Sequence, residues 1–345
     1  MSPAHSSPPD AAPVRPVLEA AGLTKTFRVR PDRPGGKVRH VHAVSGVSLR
    51  LQPGTTLGVV GESGCGKSTV ARLLMRLIDP DAGSLMVDGS EVGSGRAAMR
   101  SYRRDVQMVF QDSSASLNPR LTIEASIMFA PVVNGVSRGE ARERAHELLA
   151  RVGLDPRVHA ARYPHQLSGG QRQRVNIARA LALRPRVVIL DEAVSALDKS
   201  VEAQVLNLLQ DLKTDYGLSY IFISHDLAVI RHICDDVLVM YLGEVVEQGP
   251  VAEIYANPLH PYTRALLSSM PSHDPAARTL VPPLNGDPPS PIDLPPGCRF
   301  APRCPLVAPV CQLKAPDLTR RSAHTAACHL TDPSSGHPAL EGAAA

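Results

Sequence analysis

No apolar run in this 345-residue chain approaches the roughly eighteen residues that a membrane-spanning helix needs. Any role at a membrane would therefore depend on partner chains. Neither sign of charge dominates, with 37 Lys and Arg against 33 Asp and Glu, so the electrostatic footprint of a nucleic-acid binder is missing. The most basic stretch, RVRPDRPGGKVR (Arg28 to Arg39), reads as a solvated loop between strands. The N-terminal MSPAHSSPPDAAPVRP has no apolar signal region, and residues 1–16 are expected to form a disordered leader in a cytoplasmic protein. No internal repeat is visible. What is present is 43% hydrophobic residues, enough for a sizeable core in one large domain or two.

Residues 17–270 alternate apolar runs with helical patterns, which predicts an α/β domain. The character changes at Pro271. Residues 271–297 include PPLNGDPPSPIDLPPG, too rich in proline for a helix or a central strand, and read as an extended connector. Residues 298–330 hold four of the six cysteines, and residues 331–345 read as a frayed tail.

At positions 61 to 69 the chain reads GESGCGKST, the G-x-x-x-x-G-K-[ST] pattern of a phosphate-binding P-loop. TTLGVV before it is a short β-rich run; Val70, Leu73, Leu74 and Leu77 after it recur at helical spacing. In that setting Gly61, Ser63, Gly64, Cys65, Gly66 and Thr69 form the cradle. Lys67 would reach the terminal phosphates, and Ser68 would ligate Mg²⁺. A P-loop alone admits kinases, GTPases, helicases, recombinases and transport ATPases.

A second anion site follows about a hundred residues later. LSGGQ (Leu167 to Gln171) opens a helix whose Val175, Ala178, Leu181 and Ala182 mark one apolar face. Ser168 suits the N-cap, and Gly169 and Gly170 permit close approach to a phosphate. The apolar run RVVIL then ends in Asp191 and Glu192, of which the first can hold Mg²⁺ and the second can take a proton from an attacking water. SALD (Ser195 to Asp198) comes next, and the run YIFIS ends at His225.

These motifs resemble those of ABC transporter nucleotide-binding subunits. GESGCGKST is similar to the Walker A, LSGGQ to the signature, VVILDE to the Walker B and SALD to the D-loop. His225 matches the switch histidine and Gln111 the Q-loop glutamine. The six motifs run in order between Leu18 and Gly249. The resemblance implies a P-loop ABC ATPase fold with a helical subdomain at about residues 112–180. It implies ATP and Mg²⁺ as ligands, and two such domains closing head to tail on two ATP molecules. It further implies that Lys67 and Ser68 bind phosphates and metal, Asp191 and Gln111 complete the metal shell, Glu192 is the general base and His225 contacts the γ-phosphate. Ser168 to Gln171 would close on the partner's ATP, with Asp198 in the D-loop between them. Phe27 is the candidate for adenine stacking, with a core role as the alternative. Ala193 departs from the proline common after the glutamate, and is expected to alter only loop stiffness.

ABC ATPases also act in DNA repair, chromosome organisation and translation. Those types carry long coiled coils, zinc modules or tandem ATPase domains, none of which this chain shows; the alternative of a soluble ATPase acting on nucleic acid or the ribosome lacks a module to engage them. A modest helical insert, EARERAHELLARVGL, lies between Gln111 and Ser168. QDSSASLNPRLTI, RYPHQLSGGQRQR, DEAVSALDKSVEAQVLNLL and NPLHPYTRALLSSMP resemble the oligopeptide and dipeptide permease ATPases, more closely the second of their two ATPase subunits. That resemblance implies a sister ATPase, with a heterodimer favoured over a homodimer. It also implies two transmembrane permease chains, an extracytoplasmic binding protein and a place on the cytoplasmic face of the membrane. Peptide is the favoured solute; nickel chelates, glutathione and sugars are the alternatives.

Cys298, Cys304, Cys311 and Cys328 sit in a small proline-rich segment with little apolar material, which suggests a covalent or metal staple. A cytoplasmic location disfavours disulfides. The spacing lacks the C-x₂₋₄-C knuckle usual for zinc, while four thiolates on longer loops can hold a [4Fe–4S] cluster. Some members of the resembling family carry one here. Zinc and free thiols remain the alternatives. His324 and His329 are expected to be bystanders, and Cys65 and Cys234 to be unligated.

Overall fold

The structure, a computed structural model, describes residues 15–30, 37–113, 115–270, 286, 289–321 and 324–341. Chain order begins with two long strands, β1 (Leu18–Val29) and β2 (Arg39–Leu51), followed by β3 (Thr56–Val60) and α1 (Lys67–Leu74). Next come β4 (Ala82–Val87), β5 (Ser90–Glu91), α2 (Arg96–Asp105) and β6 (Val106–Val109). A helical block follows: α3 (Ile123–Val133), α4 (Arg138–Arg151), α5 (Pro156–His159) and α6 (Gly169–Leu181). The chain then returns to sheet and helix through β7 (Val187–Asp191), α7 (Lys199–Tyr216), β8 (Ser219–Ile223), α8 (Leu227–Ile233), β9 (Asp236–Tyr241) and β10 (Glu244–Pro250). Helices α9 (Val251–Ala256) and α10 (Pro261–Ser268) precede a C-terminal part with α11 (Pro309–Leu313), β11 (Thr319–Arg321), β12 (His324–Ala326) and α12 (Pro338–Glu341).

The strands form two sheets. One is antiparallel, in the order β2-β1-β4-β5; the other runs β11-β12-β10-β9-β3-β8-β7-β6 and is parallel from β9 through β6. Every residue of β3, β7 and β8 is buried, which explains why these strands read as continuous apolar runs: both faces are covered. On one face Leu18, Leu23, Val44 and Leu51 of the antiparallel sheet pack with Val70, Leu73 and Leu74 of α1. The other face meets Val175 and Ala178 of α6 and Leu148 and Leu149 of α4.

Three expectations shift. Leu77 is 48% exposed, because α1 ends at Leu74 and Arg76 takes a left-handed backbone (φ 52°) that turns the chain off the helix face. The cysteine-rich segment is held by more than its thiols. Phe300 is buried in the main core, against Tyr241 and Tyr262 at ring centroid distances of 5.3 and 5.5 Å. β12 pairs with β10, so the segment extends the main sheet. Gly249 permits that pairing, since a Cβ there would lie 2.2 Å from the His324 Cβ. Where the sequence reads as a frayed tail, His337 is buried and its Nε2 lies 3.0 Å from the Leu306 carbonyl. Of the expected connector, residues 271–285 and 287–288 lie outside the described residues, as do residues 31–36 of the basic stretch and residues 1–14 of the leader.

Candidate nucleotide site

The P-loop leaves β3 and enters α1. Gly66 caps the helix with φ 108°, and a Cβ there would lie 2.2 Å from the Ala43 carbonyl, so the loop can pass β2 only with glycine at this position. Lys67 is buried, its Nζ donating to the carbonyls of Gly61 (2.7 Å) and Glu62 (2.9 Å). The ammonium thus closes the loop from within, at the mouth of a helix whose free N–H groups favour anions. Cys65 is buried beneath the loop, and burial pushes its thiol pKa up.

The carboxylates come from the end of β7, beside the loop. Ser68 Oγ donates to Asp191 Oδ1 at 3.1 Å. Burial pushes the Asp191 carboxyl up, the Ser68 bond opposes this, and the neighbouring Glu192 adds to it. Glu192 adopts a left-handed backbone (φ 47°), and its N–H is fixed by the Ile223 carbonyl of β8 at 3.0 Å. Such geometry in a glutamate costs free energy and aims the side chain out of the strand's path. Its carboxylate accepts from Gln111 Nε2 at 2.8 Å, and its other oxygen lies 3.7 Å from His225 Nδ1. Serine hydroxyl, carboxylate and amide oxygens are the hard donors that suit Mg²⁺.

Ser63, Gly64, Gly66, Lys67, Ser68, Thr69, Gln111, Glu192 and His225 line one cleft of about 620 Å³; Asp191, buried and bonded to Ser68, is not on its wall. Phe27 lines it too and is 39% exposed, paired across strands with Val41. The Lys25 ammonium lies 5.8 Å from the centre of its ring. The same wall includes Val41, Ala43 and Pro291, which no motif or periodicity singles out. Pro291 arrives because its carbonyl accepts the His42 N–H at 3.0 Å.

Ser168 to Gln171 do not line this cleft. Ser168 caps α6 in a reciprocal box, accepting from the Gln171 N–H (3.3 Å) while its own N–H donates to Gln171 Oε1 (3.0 Å). Asp198 stands at the N-cap of α7. The next residue, Lys199, bridges Glu202 and Asp226, each at 3.0 Å, which ties the D-loop to the strand end carrying His225.

Cys298, Cys304, Cys311 and Cys328 line one small cavity, with His260, His329 and His337 on its wall. Burial pushes the Cys298 thiol up to about 11, Cys328 to about 12, and Cys304 upward as well. Among the described residues no group of three or more His, Cys, Asp or Glu side chains is arranged to hold a metal ion. His329 is engaged by the Lys314 carbonyl (2.9 Å), and His324 lies 3.0 Å from Glu247. Cys234 is the C-cap that follows α8, and burial pushes its thiol well above the usual range.

A family model described as ABC transporter matches residues 44–195, and one described as oligopeptide/dipeptide transporter, C-terminal region, matches residues 246–311. The probable peptide ABC transporter ATP-binding protein y4tS of Sinorhizobium fredii is 50% identical over 321 residues, covering 92% of this chain and 90% of its own length. The oligopeptide transport ATP-binding protein OppF of Escherichia coli is 48% identical over 325 residues, covering 92% and 97%. Among solved structures, cbiO1 from Clostridium perfringens, part of an ABC transporter complex, superposes with a TM-score of 0.61 at 27% identity, covering 70% of this chain and 92% of that one. A dimeric ATP-binding cassette, MJ0796 bound to ADP and Pi, gives 0.59 at 30% identity, covering 68% and 98%. No helix among the described residues is long and apolar enough to cross a membrane. With both halves of the chain matched and near-full-length relatives at about half identity, the chain belongs to the ATP-binding subunits of ABC transporters, in the oligopeptide/dipeptide group.

Proposed function

We propose that this chain is the ATP-hydrolysing subunit of an importer for di- and oligopeptides, acting at the cytoplasmic face of the membrane. The observation that carries the reading is the split of the two phosphate-binding loops. The P-loop cleft gathers Gln111, Glu192 and His225, while Ser168 to Gln171 lie outside it. The site is therefore half built, and a second ATPase chain would supply the missing signature. A sister chain rather than a second copy is the favoured partner, together with two permease chains and an extracytoplasmic binding protein. The relatives named for oligopeptide transport support peptide as the solute.

Within the site, Lys67 and the P-loop N–H groups would hold the phosphates, and Phe27 would stack on adenine. Ser68, Asp191 and Gln111 would hold Mg²⁺, which when bound neutralises phosphate charge. Glu192 would take the proton of the attacking water, oriented by Gln111, and His225 would hold the γ-phosphate. Such positioning and charge stabilisation is most of what phosphoryl transfer requires.

For the four C-terminal thiols we infer a [4Fe–4S] cluster. An all-thiol donor set around one buried cavity suits iron–sulfur ligation. The cysteine spacing lacks the C-x₂₋₄-C knuckle usual for zinc. Anaerobic purification should yield brown protein containing iron and sulfide; a colourless, iron-free but folded protein overturns this assignment.

The transport reading is tested by uptake of labelled di- and tetrapeptides in cells whose only copy carries Glu192→Gln. Peptide uptake should collapse while unrelated solutes enter normally. Undiminished peptide uptake would contradict it.

A further inference from the structure

Arg303, at the end of the turn Ala301–Arg303 between Cys298 and Cys304, reaches back across 241 residues to the second residue of the P-loop. Its Nη1 donates to Glu62 Oε2 at 2.7 Å and its Nη2 to Oε1 at 3.1 Å, a planar fork on a carboxylate. The side chain is 5% exposed, and its guanidinium lies 5.9 Å from the centre of the Tyr241 ring. The turn that carries it is fixed by Phe300 in the aromatic cluster and by the Arg303 N–H on the Phe300 carbonyl at 2.9 Å.

Glu62 is held at every polar group. Its N–H donates to the Tyr262 hydroxyl (2.9 Å), its carbonyl accepts from Lys67 (2.9 Å), and its carboxylate takes the Arg303 fork. The Lys67 contact comes from the loop itself; the other two come from chain beyond the core ATPase elements. Glu62 does not line the cleft, but a carboxylate within a phosphate-binding loop is a like charge near an anionic ligand, and left unpaired it would oppose binding.

We propose that Arg303 is a positioning residue for the nucleotide site: it neutralises Glu62 and tethers the start of the P-loop, so that the C-terminal extension sets ATP affinity. It acts through Glu62 and touches neither the nucleotide nor the reacting atoms. The proposal rests on the reading of this loop as the ATP site.

The test uses the full chain, with titration of a fluorescent ATP analogue and steady-state hydrolysis. Arg303→Ala should weaken nucleotide binding about tenfold and raise KM by a similar factor, with kcat at saturating ATP nearly unchanged. Arg303→Lys, which keeps the charge and loses the fork, should recover part of the affinity. Introduced into an E62Q background, Arg303→Ala should cost little more, because the charge it answers is gone. Wild-type affinity in Arg303→Ala, or the same tenfold loss in the E62Q background, overturns the proposal. Should Arg303→Ala not fold, Arg303→Lys measured with and without E62Q makes the same comparison. Lys67→Ala separates the two claims: if it still binds nucleotide, the loop is not the ATP site, whatever Arg303 does.

Discussion

Gln111 and Glu192 are joined by a 2.8 Å hydrogen bond between the end of β6 and the end of β7, 81 residues apart in the chain. A glutamate held there in a left-handed backbone, with His225 3.7 Å away on its other side, is poised over the P-loop and not folded into a surface ion pair. Replacing it by the isosteric amide keeps the bulk and removes the base. Glu192→Gln should retain nucleotide binding and lose turnover by about a hundredfold or more. Single-turnover hydrolysis beside a binding titration checks both halves, and wild-type turnover would remove Glu192 from the base role.

Gly66 marks where the loop passes closest to β2. Gly66→Ala would drive a Cβ to 2.2 Å from the Ala43 carbonyl in a backbone region that L-residues avoid. Backbone strain alone costs about 1–3 kcal/mol. The variant should melt earlier and bind ATP weakly, whereas a melting curve like that of the wild type would show that the loop relaxes freely.

Phe300 joins the C-terminal extension to the main core. Phe300→Ala should destabilise the chain by about 3–5 kcal/mol, the usual cost of emptying a buried aromatic site. Because the same turn carries Arg303, ATP affinity should fall with it. Denaturant unfolding measures the first effect and analogue titration the second.

Asp226 makes the fold's stability depend on pH. Burial alone would push its carboxyl up, but the Lys199 ammonium and the N–H groups of Val229 and Ala228 outweigh this and hold it below the ordinary carboxylate range. The unfolded chain therefore binds more protons in acid. The stabilisation is complete above about pH 4, the unfolded value, and is lost as pH falls through the folded one. Partial exposure keeps the effect small. Between about pH 6 and about pH 3 the wild type should lose more stability than Asp226→Asn, as read by thermal unfolding; equal losses would mean that the carboxylate gains nothing on folding.

The ATP motifs were legible because each is local. Strand, loop and helix lie within a dozen residues of one another, and the backbone geometry that phosphates need dictates glycine, lysine and serine at fixed spacings. Leu77 was misread because helical spacing continues past the residue where Arg76 turns left-handed, and an arginine gives no warning of that. The attachment of the C-terminal segment was hidden for a different reason. β11 and β12 are three residues each, too short for alternation to register, and they gain their stability from β10. Pro291 in the cleft and Arg303 on Glu62 are contacts between distant parts of the chain, which no periodicity encodes.

If ATP closure by this chain drives a membrane pore, the closed chain should stay attached to that pore. The most direct measurement is affinity capture of Glu192→Gln, loaded with ATP, from gently solubilised membranes, with identification of what remains bound. Two permease chains, a sister ATPase and an extracytoplasmic peptide-binding protein should be recovered. Recovery of nucleic acid or ribosomes without permease chains would contradict that attachment, leaving the ATPase chemistry intact and the transport role without support.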